Sequence, residues 1–130
     1  MRRILLSIFC LFIIHAGNAQ TNLKFCVDVG KDGTCKTKSS DFTISSAGGT
    51  ITFMLKNAKG LGTDKVVYKI YKLGEDGSEN FNNTIEQDVQ QNWNYAWEEA
   101  VFYDPGTYKV MVYDKTDNLL CLSILKIFTQ

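Results

Sequence analysis

The stretch Phe102–Ile127, FYDPGTYKVMVYDKTDNLLCLSILKI, limits the possible folds more than any other part of the chain. In Asp104-Pro105-Gly106 the proline sets φ at one corner of a turn and the glycine accepts positive φ at the next. Tyr108, Val110 and Val112 then alternate with Lys109, Met111 and Tyr113, the period of two of a strand with one buried face. Asp114-Lys115-Thr116-Asp117-Asn118 is rich in turn formers and reverses the chain. Leu119 to Phe128 is nearly all apolar, as expected of a central strand covered on both sides. Two strands cannot bury that much apolar surface alone, so a second layer must cover them.

The preceding residues keep the same rhythm. Leu23, Phe25, Val27 and Val29 alternate with Lys24, Cys26 and Asp28, and Gly30-Lys31-Asp32-Gly33 turns the chain. Further strands are expected around Phe42 and Ile44, around Ile51, Phe53 and Leu55, and around Val66, Tyr68 and Ile70. A polar run from Phe81 to Val89 has the composition of an edge strand, and Trp97 to Tyr103 forms another strand. The single segment compatible with a helical turn is Val89 to Asn94. The whole predicts an all-β, antiparallel sandwich of about seven to eight strands in one domain, with neither linker nor repeat.

The N-terminus follows different rules. Arg2 and Arg3 precede an apolar run, Ile4 to Ile14, too short to span a bilayer, and Gly17-Asn18-Ala19 offers small residues to a signal peptidase. Residues 1–19 are therefore expected to be a cleaved signal peptide, and residues 20–130 the β domain, with no membrane span in the mature form and a secreted, periplasmic or cell-envelope location. Cys10 lies within the apolar run and lacks the setting of a lipoprotein cysteine. Cleavage takes both arginines from fourteen basic residues, leaving twelve lysines against fourteen carboxylates, a formal charge of −2. It also removes His15, the one histidine. The remainder can form neither a Ser-His-Asp triad, nor a Cys-His pair, nor an imidazole-ligated metal site. Without arginine or a basic patch, nucleic acid is not an expected partner.

The PGTYKVMVYD hairpin with LLCLSILKI after it resembles the last hairpin of small secreted bacterial immunoglobulin-like domains. That resemblance implies an immunoglobulin-like sandwich with a binding, adhesion or envelope-associated role, a protein or glycan partner, no cofactor and no catalytic residues. An antibody-type core would require a Cys…Trp…Cys spacing that Cys26, Trp93, Trp97 and Cys121 do not supply.

Three constellations carry possible chemistry. Cys26, Cys35 and Cys121 remain after cleavage, so at least one is unpaired within the monomer. A hairpin turning about Gly30-Lys31 sets Cys26 opposite Cys35, close enough for a disulfide, with Cys26–Cys121 as the alternative pairing. Cys121, between Leu120 and Leu122, reads as a small buried apolar residue, not a nucleophile. Asp28-x-Gly30-x-Asp32-Gly33 is similar to the start of a calcium loop, but its twelfth position is Ser39, so Asp28 and Asp32 form a weak calcium candidate beside the plainer hairpin turn.

Trp93, Tyr95 and Trp97 alternate with Asn94 and Ala96 among amides and carboxylates. On an extended segment the three rings share one face, an arrangement that suits stacking on a pyranose while polar neighbours take its hydroxyls. The alternative places Trp97 in the core and Trp93 as a plug at the end of the sandwich. Glu98 and Glu99 are adjacent on a strand, point to opposite faces and cannot flank one glycosidic bond. KNAKGLGT lacks the consecutive Gly-Lys-Ser/Thr of a phosphate loop and is a flexible connection, and Asn82-Asn83-Thr84 is a glycosylation sequon. The function expected is an exported, non-catalytic sandwich that binds or builds; the alternative is a carbohydrate-binding module using the aromatic platform.

Overall fold

The computed structural model describes residues 21–36 and 38–130. The expected leader, with Arg2, Arg3, Cys10 and His15, lies outside the described residues, as do the side chains of Asp28 and Lys36. Ten strands follow in order among the described residues: β1 (Asn22–Cys26), β2 (Asp28–Val29), β3 (Cys35–Lys36), β4 (Asp41–Ile44), β5 (Gly49–Lys56), β6 (Lys65–Leu73), β7 (Glu79–Asp88), β8 (Tyr95–Phe102), β9 (Gly106–Asp114) and β10 (Leu119–Thr129). Eight of them make two sheets, β1-β5-β8 and β4-β10-β9-β6-β7, and β2-β3 is a separate ribbon.

The two sheets bury their facing sides against each other. Phe53 of β5 lies at the centre, edge-on to Phe25 and tilted against Tyr68 and Phe102. Val66, Tyr68 and Ile70 of β6, Tyr108, Val110 and Val112 of β9, and Leu125 and Ile127 of β10 face it, all essentially inaccessible to solvent. At the Asp104-Pro105-Gly106 turn the Tyr108 hydroxyl donates to the Asp104 carbonyl at 2.7 Å. This is the tyrosine corner of immunoglobulin sandwiches, which fixes where the chain crosses between the sheets.

Four expectations need correction. The sandwich is not wholly antiparallel, because β4 runs parallel to β10 from Lys126↔Asp41 to Thr129↔Ile44. Nor is β10 covered on both faces: Leu122, Ile124 and Phe128 are 46%, 41% and 50% exposed. Its neighbours β4 and β9 lie beside it in one sheet, and only one face meets the second layer. The first strand does not continue to Val29, since it breaks at Val27 and the following ribbon pairs Val29 with Cys35 and Asp28 with Lys36. Finally, Val89–Asn94 is not helical; it holds one turn, closed by the Trp93 amide on the Gln90 carbonyl.

The Cys26–Cys35 disulfide forms all the same, with Cα atoms 5.6 Å apart. Its geometry is not that of a cross-strand pair in one hairpin. The bridge ties the end of β1 to the ribbon, which reverses through the turn closed between Gly30 and Thr34 and sets Val29, not Cys26, opposite Cys35. Cys26, Thr52 and Met54 share the outer side of the small sheet, and all three are buried. Cys121 remains a free thiol.

Candidate functional site

Two free edges lie along one side of the sandwich. β7 ends the large sheet and β8 ends the small one, so the expected edge strand is indeed an edge. Gln87 spans the seam between them. Its position opposite Val66 turns it inward, where its Oε1 accepts from the buried Tyr68 hydroxyl at 2.7 Å. Its Nε2 donates to the Trp97 carbonyl of β8 at 2.8 Å. Burial raises the Tyr68 pKa above the ordinary tyrosine value, and the neighbouring Glu98 and Cys121 push in the same direction. The phenol is therefore a fixed donor and Gln87 a fixed clamp. No sequence motif marks Gln87; only its alternation with the inward Ile85 places it.

Beside this clamp a cleft of about 520 Å³ opens, lined by Gln87, Asn92, Trp93, Asn94, Tyr95, Ala96 and Trp97. The three aromatic residues of the sequence pattern thus line a single cavity. Tyr95 and Trp97 project from the outer face of β8 and stack, with centroids 5.9 Å apart and planes at 16°. Trp93 precedes the strand. Its carbonyl accepts from the Leu61 amide, while Asn94 is tied by its side chain to the carbonyls of Asn57 and Ala58. The connection between β5 and β6 thereby holds the cleft's end. Trp93 and Trp97 are 40% and 41% exposed, so Trp97 is not the core residue of the alternative expectation. It points outward because Ala96 and Ala100, its neighbours in the alternation, occupy the inner face.

The disulfide ribbon supports the cleft from behind. Gly33, at φ +81°, lies against the ring of Tyr95 so closely that a Cβ there would stand 2.7 Å from Cζ. A glycine is required on both counts: positive φ, and the approach of backbone to an aromatic face.

The other candidates separate. Asp32 Oδ1 accepts from the Thr34 amide and hydroxyl, which makes it a turn-forming residue of the ribbon. Among the described residues no three Asp, Glu, His or Cys side chains come together as a metal site. Glu98 pairs with Phe53 on the inner face and Glu99 with Thr52 on the outer, so the two carboxylates do diverge. Burial pushes the Cys121 thiol up to about 12, which favours the thiol over the thiolate at neutral pH.

No protein-family profile matches the chain, and no curated protein matches it in sequence. Among solved structures it is similar to an immunoglobulin-like protein from Pseudomonas aeruginosa, with a TM-score of 0.54 and 12% identity over 86% of this chain and 99% of that one. The fold is immunoglobulin-like. Two further likenesses are weaker. The soluble domain of PmoD from Methylocystis sp. has a TM-score of 0.48 at 11% identity, covering 89% of this chain and 95% of that one. A superoxide reductase from Ignicoccus hospitalis has a TM-score of 0.45 at 6% identity, covering 85% and 80%. Identities this low bear on the fold alone. No helix among the described residues is long and apolar enough to cross a membrane.

Proposed function

We propose that the protein is an exported, non-catalytic immunoglobulin-like domain that binds its partner through the aromatic cleft at the β7–β8 seam. Export is supported by the leader-like N-terminus and by a disulfide, which persists in oxidising compartments. A binding role without catalysis is supported by the protonated Cys121, by the divergence of Glu98 and Glu99, and by a mature sequence free of histidine and arginine. The observation that carries the proposal is the solvent-facing Tyr95–Trp97 stack with Trp93 lining the same cavity. Large rings held open to water cost free energy unless a ligand covers them, and aromatic anchors dominate binding energies where they occur.

A carbohydrate is the ligand class these groups favour. Tyr95 and Trp97 present parallel planes, which match the apolar face of a pyranose, and the exposed Asn92 amide stands within reach of hydroxyls at the rim. A glycan array probed with wild type, Trp93→Ala and Trp97→Ala tests it. Wild type should bind at least one neutral glycan, and each alanine variant should lose about tenfold or more in affinity, the worth of one aromatic anchor. A blank array removes the carbohydrate. Capture of the same envelope proteins by wild type and by the doubly substituted protein would place binding away from the cleft.

A further inference from the structure

On the opposite side of the sandwich, β10 is only half paired along its outer edge. β4 covers residues 126–129 and stops. The Lys126 amide donates to the Ser40 carbonyl on that side, so by strand alternation the N–H and C=O groups of Leu122 and Ile124 point the same way. Alongside them runs a groove of about 300 Å³ lined by Leu23, Phe25, Lys38, Ser40, Ser123 and Ile124, among others. The nearest strand across it, β1, belongs to the other sheet and is reached by a side chain, the Ser123 hydroxyl donating to the Leu23 carbonyl at 2.9 Å. This half-edge therefore has backbone groups to share, beside an open groove.

Its sequence lacks most of the devices that keep edges apart, the one present being a register shift between Leu119 and Cys121 at the start of the run. Asn118 to Leu125, NLLCLSIL, has no charge and no proline, whereas β7 carries three carboxylates and a bulge, and β8 turns Glu98 inward. Uncharged, β-prone runs of this length are those that pair with copies of themselves. The flanking charges select the orientation. Asp117 precedes the neutral run and Lys126 follows it. Two copies laid antiparallel bring each Lys126 toward the other's Asp117, whereas a parallel arrangement sets like charges side by side.

We propose that the β10 half-edge, Leu119 to Leu125, is a self-association surface on which a second copy of this chain adds its own β10, antiparallel, to join the two large sheets. The interface is isologous and closes as a dimer. It lies on the side away from the β7–β8 seam, so the dimer would present two aromatic clefts facing apart, an arrangement that multiplies weak affinity for a repeating ligand. The association itself does not depend on what the clefts bind.

Sedimentation equilibrium of the protein expressed from the full chain tests this, combined with hydrogen exchange at Leu122 and Ile124. The expected result is a concentration-dependent dimer with both amides protected. Ile124→Pro removes only an outward N–H, and Leu122→Lys adds a charge to an exposed position; each should weaken association at least tenfold while circular dichroism stays unchanged. Lys126→Glu should weaken it as well. A protein that stays monomeric at about 500 µM, far above a functional dissociation constant, overturns the proposal. So does a dimer indifferent to both Leu122→Lys and Lys126→Glu, variants that leave the β9 ladder intact. A monomer in which the Leu122 and Ile124 amides are already protected overturns it too.

Discussion

Gln87 has no chemistry of its own, yet it joins the two sheets at their open side. The buried Tyr68 hydroxyl needs an acceptor and the Trp97 carbonyl on a free edge needs a donor; one carboxamide supplies both. Leucine at 87 should cost about 1–3 kcal/mol, because it strands a buried phenol without a partner. Combining Gln87→Leu with Tyr68→Phe should recover part of that loss, since both ends of the bond are then apolar. A double-mutant cycle from urea unfolding measures it, and additive losses would show that the clamp is idle. The same interior sets the alkaline limit of the fold. Burial raises the Cys121 thiol from 9.0 to about 12 and raises Tyr68 from 10.0. Both groups hold their protons longer when folded, so the unfolded chain binds fewer protons in that window and stability falls as pH rises. The contribution is intact below pH 9.0, begins to be lost there through Cys121 and is lost further above 10.0 through Tyr68. The urea midpoint should decline across that range, and Cys121→Ala should flatten its first part; an unchanged slope would mean that the thiol is not buried.

At the scale of elements, the ribbon β2–β3 couples stability to the cleft. Its disulfide closes a short loop and contributes about 2–3 kcal/mol by the loop-entropy estimate. Gly33 carries the coupling, because its backbone rests on Tyr95. Gly33→Ala should lower the melting temperature and, with Trp93 and Trp97 untouched, also weaken ligand binding by displacing the Tyr95 ring. Calorimetry and a titration on the same sample separate the two effects, and full affinity in a destabilised variant would detach the ribbon from the site. The sequence foretold some of this and not the rest. Alternation located the main strands because each has one buried face, and it brought Tyr95 and Trp97 together because i and i+2 share a side, while Trp93 reaches the same cleft from the turn before β8. It misread β10, since an apolar run reads alike whether its second face is covered or open: Leu122 and Ile124 look no different from Leu125 and Ile127. It paired the right cysteines through the wrong hairpin, because a break at Val27 leaves no mark in hydropathy. Gln87 escaped notice for a similar reason, as its partners come from β6 and β8, and no local pattern brings those strands together.

For the whole molecule the distribution of charge matters more than its sum. From Gly74 to Tyr108 the chain carries eight carboxylates, Glu75, Asp76, Glu79, Glu86, Asp88, Glu98, Glu99 and Asp104, and no lysine. Both strands of the open seam, and every residue that lines the aromatic cleft, belong to this segment. Two of the eight are offset by neighbours across the sheet: Glu79 pairs with Lys109, and Glu86 with Lys65 at 3.4 Å. These are surface pairs of small worth, and the other carboxylates leave the seam negative. An acidic glycan approaching the cleft should therefore be repelled, while a neutral ligand should be unaffected. Dilute salt should preserve that discrimination and concentrated salt should erase it, because the Debye length contracts from about 30 Å at 0.01 M to about 3 Å at 1 M. Titrating one neutral and one uronate-bearing oligosaccharide at both ionic strengths gives the comparison. The neutral ligand should keep its affinity to within about twofold, whereas the acidic one should bind more tightly as salt is added. An acidic ligand that bound best in dilute salt would require a cationic contact at the cleft, for which Lys56, opposite Tyr95 on the same face of the small sheet, is the nearest candidate.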